Sequence, residues 1–126
     1  MKRSLTAAAA ALLIVSCGMT QREVEFTLTA DSVQLPMTVG PTNSLPVTVS
    51  VTVGGCRRFK RFEAQRTANT LNLRVVGQET VPGYNSACTT EIAYQAHTYT
   101  DPGTPPRTNP FEVIVNGKSW GTVNIK

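Results

Sequence analysis

The sequence predicts an all-β protein whose body is a single β-sandwich of about seven strands, and three observations predict it. Apolar and polar residues alternate with a period of two, most plainly where Val47, Val49, Val51 and Val53 interleave with Thr48, Ser50 and Thr52. Proline and glycine recur between the alternating segments, and no credible helix follows residue 16. The 126 residues are 40% apolar and only 16% charged, too apolar for a disordered tail. Without the first sixteen, 110 remain, enough for one modest core and too few for two domains. A small barrel is the rival architecture.

Lys2 and Arg3 precede an unbroken apolar run from Ala7 to Val15, followed by Ser16 and Cys17. A short positive segment, nine apolar residues and small residues before a cut have the physical profile of a secretory signal. Nine residues are too few to cross a bilayer, which takes about 20 in a helix. The residues Ile14, Val15, Ser16 and Cys17 resemble the lipobox of bacterial lipoproteins. The resemblance covers residues 1–17. It implies cleavage of a signal peptide at 1–16, a diacylglyceryl thioether on Cys17 and an acylated new N-terminus. Membrane attachment would then run through acyl chains. Gly18 follows the cysteine where an aspartate would signal retention, so the resemblance favours the outer membrane if the host has one.

Residues 17–21 form the lipidated cysteine and a short polar tether. Four or five extended residues reach at most about 17 Å, so the domain at 22–126 is expected against the membrane surface. Val24, Phe26 and Leu28 alternate with Glu23, Glu25 and Thr27 as a first strand. Residues 33–46, with Pro36, Gly40, Pro41 and Pro46, suit a short edge strand over 33–39 and then a loop. The valine-rich segment at 47–53 is the clearest strand, its β-branched side chains suiting a half-buried sheet. In the next segment Phe59 and Phe62 are three apart, which fits a bulge or a helical turn.

Leu71, Leu73 and Val75 alternate with Asn72 and Arg74, and residues 77–85 suit a turn rich in Gly and Pro. A long strand is expected over 87–100. Residues 101–110 hold four prolines and a glycine, consistent with rigid extended chain. Phe111, Val113 and Val115 lead into Asn116-Gly117, a pair that favours a type I′ hairpin because both central positions need positive φ. Together these elements resemble an immunoglobulin-like sandwich. The antibody arrangement of a tryptophan between two cysteines is not met, since Trp120 follows both Cys56 and Cys88. Fold by itself carries no function.

Three cysteines in an exported chain leave one unpaired if only disulfides are considered. With Cys17 assigned to lipid, Cys56 and Cys88 make a natural pair in an oxidising envelope. The alternative is two free buried thiols. A disulfide closing 32 positions would be worth about 3 to 4 kcal/mol in the loop-entropy model. A metal site is disfavoured because the cysteines are far apart and His97 is the only histidine.

Past residue 16 the chain carries ten basic and eight acidic side chains, no charge for a nucleic-acid binder despite a pI of 9.3. Half of those basic groups, Arg57, Arg58, Lys60, Arg61 and Arg66, fall within ten residues. They are a candidate contact for lipid headgroups, an anionic surface or an acidic envelope partner. They equally suit a solvated strand whose charges keep an edge from pairing.

Tyr84, Tyr94, Tyr99 and Trp120 are too scattered in sequence to show a sugar-stacking platform. His97, Asp101 and Ser86 or Ser119 supply the letters of a triad without a nucleophile elbow. Glu63, Glu79, Glu91, Asp101 and Glu112 stand singly, and Gly54-Gly55 makes no phosphate loop. The expectation is therefore a non-catalytic, cofactor-free binding or structural module, anchored by lipid in the cell envelope. The alternative is an inhibitor or assembly factor that engages a client through a sheet edge or the loop at 101–110.

Overall fold

The computed structural model describes residues 22–83 and 87–126. Nine strands make up the fold: β1 (Arg22–Thr27), β2 (Ser32–Gln34), β3 (Thr38–Val39), β4 (Leu45–Gly54), β5 (Arg57–Arg66), β6 (Thr70–Val81), β7 (Ile92–Asp101), β8 (Phe111–Val115) and β9 (Lys118–Ile125). They join in the order β2-β4-β5-β6-β8-β9-β3, with β1 added on β6 and β7 on β4. β4 and β5 share one register pair, Gly54 with Arg57, so beyond their turn they diverge and the sheet curls on itself. One layer is β7-β4-β2. The other runs from β5 through β6 to β9, and the result is an all-β, sandwich-like body.

The alternation seen in sequence puts Leu45, Val47, Val49, Val51 and Val53 of β4 inward, all buried. Against them pack Leu71, Leu73 and Val75 of β6, Phe111, Val113 and Val115 of β8, and Val123 and Ile125 of β9, forming one cluster. Nine strands replace the roughly seven expected: the segment around Phe59 and Phe62 is a full strand, and the segment at 33–39 splits into β2 and β3, interrupted around Pro36, which cannot donate to a ladder.

Two expectations are corrected. Residues 77–81 are no turn; they lie inside β6, paired with β1 on one side and, through residue 79, with β5 on the other. Gly77 is there because the ring of Phe26 lies over it: a Cβ would sit 2.7 Å from Phe26 Cζ. The strand expected from residue 87 begins at Ile92 instead. Residues 87–91 are held beside the β4-β5 turn, where Gly55 N–H donates to Glu91 O at 3.2 Å and Cys88 lies at disulfide distance from Cys56, Cα to Cα 5.2 Å.

The Asn116-Gly117 turn forms as expected, with φ of 53° and 82° between the β8 and β9 strands. Its asparagine does more than turn the chain. Along one flank β6 pairs first with β8 in parallel and then with β1 antiparallel. At the junction Asn116 Oδ1 accepts from Val75 N–H at 2.9 Å, and its Nδ2 donates to Leu28 O at 2.8 Å. One side chain thus satisfies the backbone groups that neither strand reaches.

Candidate functional site

The basic segment is β5, and a bulge decides where its side chains go. The register with β6 shifts between Phe59 and Arg61, so one extra residue is absorbed and both Phe59 and Phe62 face the core. Phe59 stacks on His97 of β7 with ring centroids 3.8 Å apart, and Phe62 meets Tyr99 edge-on at 5.9 Å. Of the two readings of that spacing, the bulge is the one found.

The five basic residues are thereby sorted into three environments. Arg58, Lys60 and Arg61 meet glutamates of β1 across the outer face of the β1-β6-β5 layer. Arg58 Nη2 pairs with Glu23 at 2.9 Å, Lys60 Nζ with Glu25 at 2.7 Å, and Arg61 with both oxygens of Glu25 at 3.0 Å. Arg61 also reaches Glu63 at 2.6 Å, and Arg74 closes the row on Glu63 at 3.1 Å. The hydrogen bonds from Arg61 and Lys60 pull the Glu25 carboxyl down to about 2. Arg57 pairs instead with Glu79 at 3.4 Å, its guanidinium 4.9 Å from the Phe26 ring centre.

Arg66 departs from this surface altogether, since its side chain is only 9% exposed. Its Nε lies 3.0 Å from both carboxylate oxygens of Asp101, and its Nη2 donates to Pro105 O at 2.6 Å. Its Nη1 donates to Thr67 O. Arg107 reaches the same carboxylate at 2.6 Å from the other side and is fully buried. It also donates to the carbonyls of Gly40 at 2.8 Å and Asn43 at 2.6 Å. The ring of Phe111 lies under both guanidinium groups, 5.0 and 5.6 Å from the centroid.

The loop at 101–110 is therefore folded back and fastened, not simply extended. Gly103, at φ 88°, lets it approach residue 42 so closely that a Cβ would meet Thr42 O at 2.4 Å. Pro102, Thr104, Pro105, Pro106, Thr108, Asn109 and Pro110 stay exposed on top of this anchor. Neither Asp101 nor Arg107 was singled out by sequence as an organiser. The available signal was an isolated arginine inside a proline-rich stretch whose one other charge is Asp101.

The remaining candidates are dispersed. His97 Nε2 bonds to Gln95 Oε1 at 2.9 Å, and burial lowers its pKa. Asp101 is occupied by the two arginines rather than by His97. Tyr94 is on the surface, Tyr99 packs inward, and Trp120 sits half-buried on the core edge with Lys118 Nζ 4.4 Å from its ring centre. Cys17, Tyr84 and Ser86 lie outside the described residues. Among the described residues no group of three or more His, Cys, Asp and Glu is placed to hold a metal ion. No helix there is long and apolar enough to cross a membrane. No protein-family model, no curated protein and no solved structure matches the chain.

Proposed function

We propose that this protein is a lipid-anchored, non-catalytic binding or structural module of the cell envelope, held by acyl chains on Cys17, on the outer rather than the inner membrane if the host has one. The observation that carries this reading is where the chain enters the fold. β1 begins at Arg22, five residues after Cys17, in the layer whose outer face bears Arg58, Lys60 and Arg61. A tether of that length spans at most about 17 Å, which supports a reading in which this layer is turned to the bilayer. Its cations are shared with Glu23, Glu25 and Glu63, so the acyl chains supply most of the attachment. The body is read as an immunoglobulin-like sandwich, a reading supported by the two layers and the single close cysteine pair.

A second reading, engagement of a client protein, is favoured by the loop at 101–110. Seven exposed residues held by a buried Arg-Asp-Arg cluster present a surface whose ordering cost is already met before binding. Intact mass of the native protein tests the anchor: the expected result is a diacylglyceryl and acyl adduct on Cys17 together with the two-proton deficit of a cystine. The Cys17→Ala chain should leave the membrane fraction. An unmodified Cys17 in the mature protein overturns the anchor. Replacing Pro105 and Pro106 by glycine should weaken client capture, and unchanged capture counts against the loop.

A further inference from the structure

The strands of this fold end in several free edges, and one differs from the rest. β2 and β3 are three and two residues long, too short to offer a template. β1 carries Arg22, Glu23 and Glu25, and β5 carries Arg57, Arg58, Lys60 and Arg61, charges of the kind that discourage edge pairing. β7 has ten residues and, among the described residues, pairs only with β4. From Ile92 to Thr100 it holds no Lys, Arg, Asp or Glu, no proline and no bulge. Ile92 and Tyr94 are 64% and 82% exposed on its outward face, and Ala93, Gln95 and Ala96 are exposed as well.

We propose that the free edge of β7 is a pairing surface for a second copy of this chain, joined antiparallel to its own β7 about a two-fold axis. The absence of charge suits a second copy of the same strand: two such strands meet with no like-charge contact over nine residues. In a pair centred on Ala96, Tyr94 lies opposite Thr98 of the second copy and Ile92 opposite Thr100. Thr98 already bonds to Thr48 at 2.9 Å, so this neighbour is rigidly set. Such a two-fold runs perpendicular to the sheet and keeps like layers on the same side. Both β1 strands then start from one side of the dimer, and both tethers reach a single bilayer. The pairing itself does not require the anchor.

Sedimentation velocity on the detergent-solubilised native protein and on the full-length Cys17→Ser chain tests the proposal, and using both separates it from the lipid question. A dimer is expected in each. Ala96→Lys, which sets two ammonium groups face to face across the two-fold, should weaken it by about tenfold or more while leaving unchanged the melting temperature of the dissociated monomer, measured at high dilution. Ala96→Cys on vesicles should form an intermolecular disulfide. Monomers throughout with no cross-link overturn the proposal, as does a dimer that survives Ala96→Lys. Protection of β7 amides by a different polypeptide, with the protein alone monomeric, would also overturn it and give the edge to a client strand.

Discussion

Two regions of this molecule use the same chemistry, guanidinium on carboxylate, in opposite surroundings. On the outer face of β1, β6 and β5, Arg58, Lys60, Arg61 and Arg74 meet Glu23, Glu25 and Glu63 with every side chain at least a third exposed. At the far end, Arg66 and Arg107 close on Asp101 with exposures of 9, 0 and 1%. In water such pairs contribute little, because solvent screens the attraction and ordering long side chains opposes it. In the interior the desolvation penalty is severe, so the charges are tolerated only with nearly every donor placed. Asp101 receives four such contacts including Gly103 N–H at 3.3 Å, yet Arg107 Nε is left without a partner. The exposed row resists edge pairing and disperses charge, whereas the buried cluster fixes a loop.

The comparison breaks most sharply at Asp101. Asp101→Asn leaves two buried guanidinium groups facing a neutral amide and should destabilise the fold by about 3 to 5 kcal/mol, measured by chemical denaturation. Loss of order should begin in residues 101–110, visible as rapid amide exchange there. A result within error of the native protein would mean that the cluster is incidental to stability. Arg66→Lys keeps the charge and removes the guanidinium that serves Asp101, Thr67 O and Pro105 O together; a smaller loss of about 2 kcal/mol is expected by the same measurement.

His97 probes the seam between β5 and β7. Burial against Phe59 lowers its folded pKa below the ordinary 6.5, so the unfolded chain takes up the proton more readily. Its share of stability is whole above about pH 6.5 and declines as pH falls through that value toward the folded pKa. His97→Phe should flatten the stability profile in this window; an unchanged slope would assign the dependence to other groups.

The smallest effect belongs to the exposed row. Glu25 titrates near 2 in the fold, so its contribution is present above the unfolded value of about 4.5 and fades as pH drops toward 2. Glu25→Gln should barely move the melting temperature at neutral pH, and the difference should vanish in molar salt. A large, salt-resistant loss would erase the distinction between the two regions.

Sequence exposed the parts of the fold that depend on local alternation. β4, the first half of β6, β8 and the Asn116-Gly117 turn follow from period and φ preference alone. The hidden parts depend on distant contacts. Gly77 resembled a turn residue because nothing local shows that Phe26 will cover it, and the end of β6 was lost with it. The basic segment was visible as composition, but its partition was not, since a single bulged residue determines which side chains face inward. Arg107 finds Gly40, Asn43 and Asp101 only after the loop at 40–44 and the end of β7 converge on it. The cysteine pair was legible by arithmetic, whereas the contents of 101–110 were not.

The splice at Asn116 has a kinetic corollary. It ties Leu28 to a residue 88 positions later, so this contact closes only when β1 and the β8-β9 hairpin both lie on β6. Chains whose decisive pairings are so remote fold slowly, on a scale of about milliseconds to seconds. Under the export proposed above, slow folding of this kind would keep the chain threadable until it had crossed the channel.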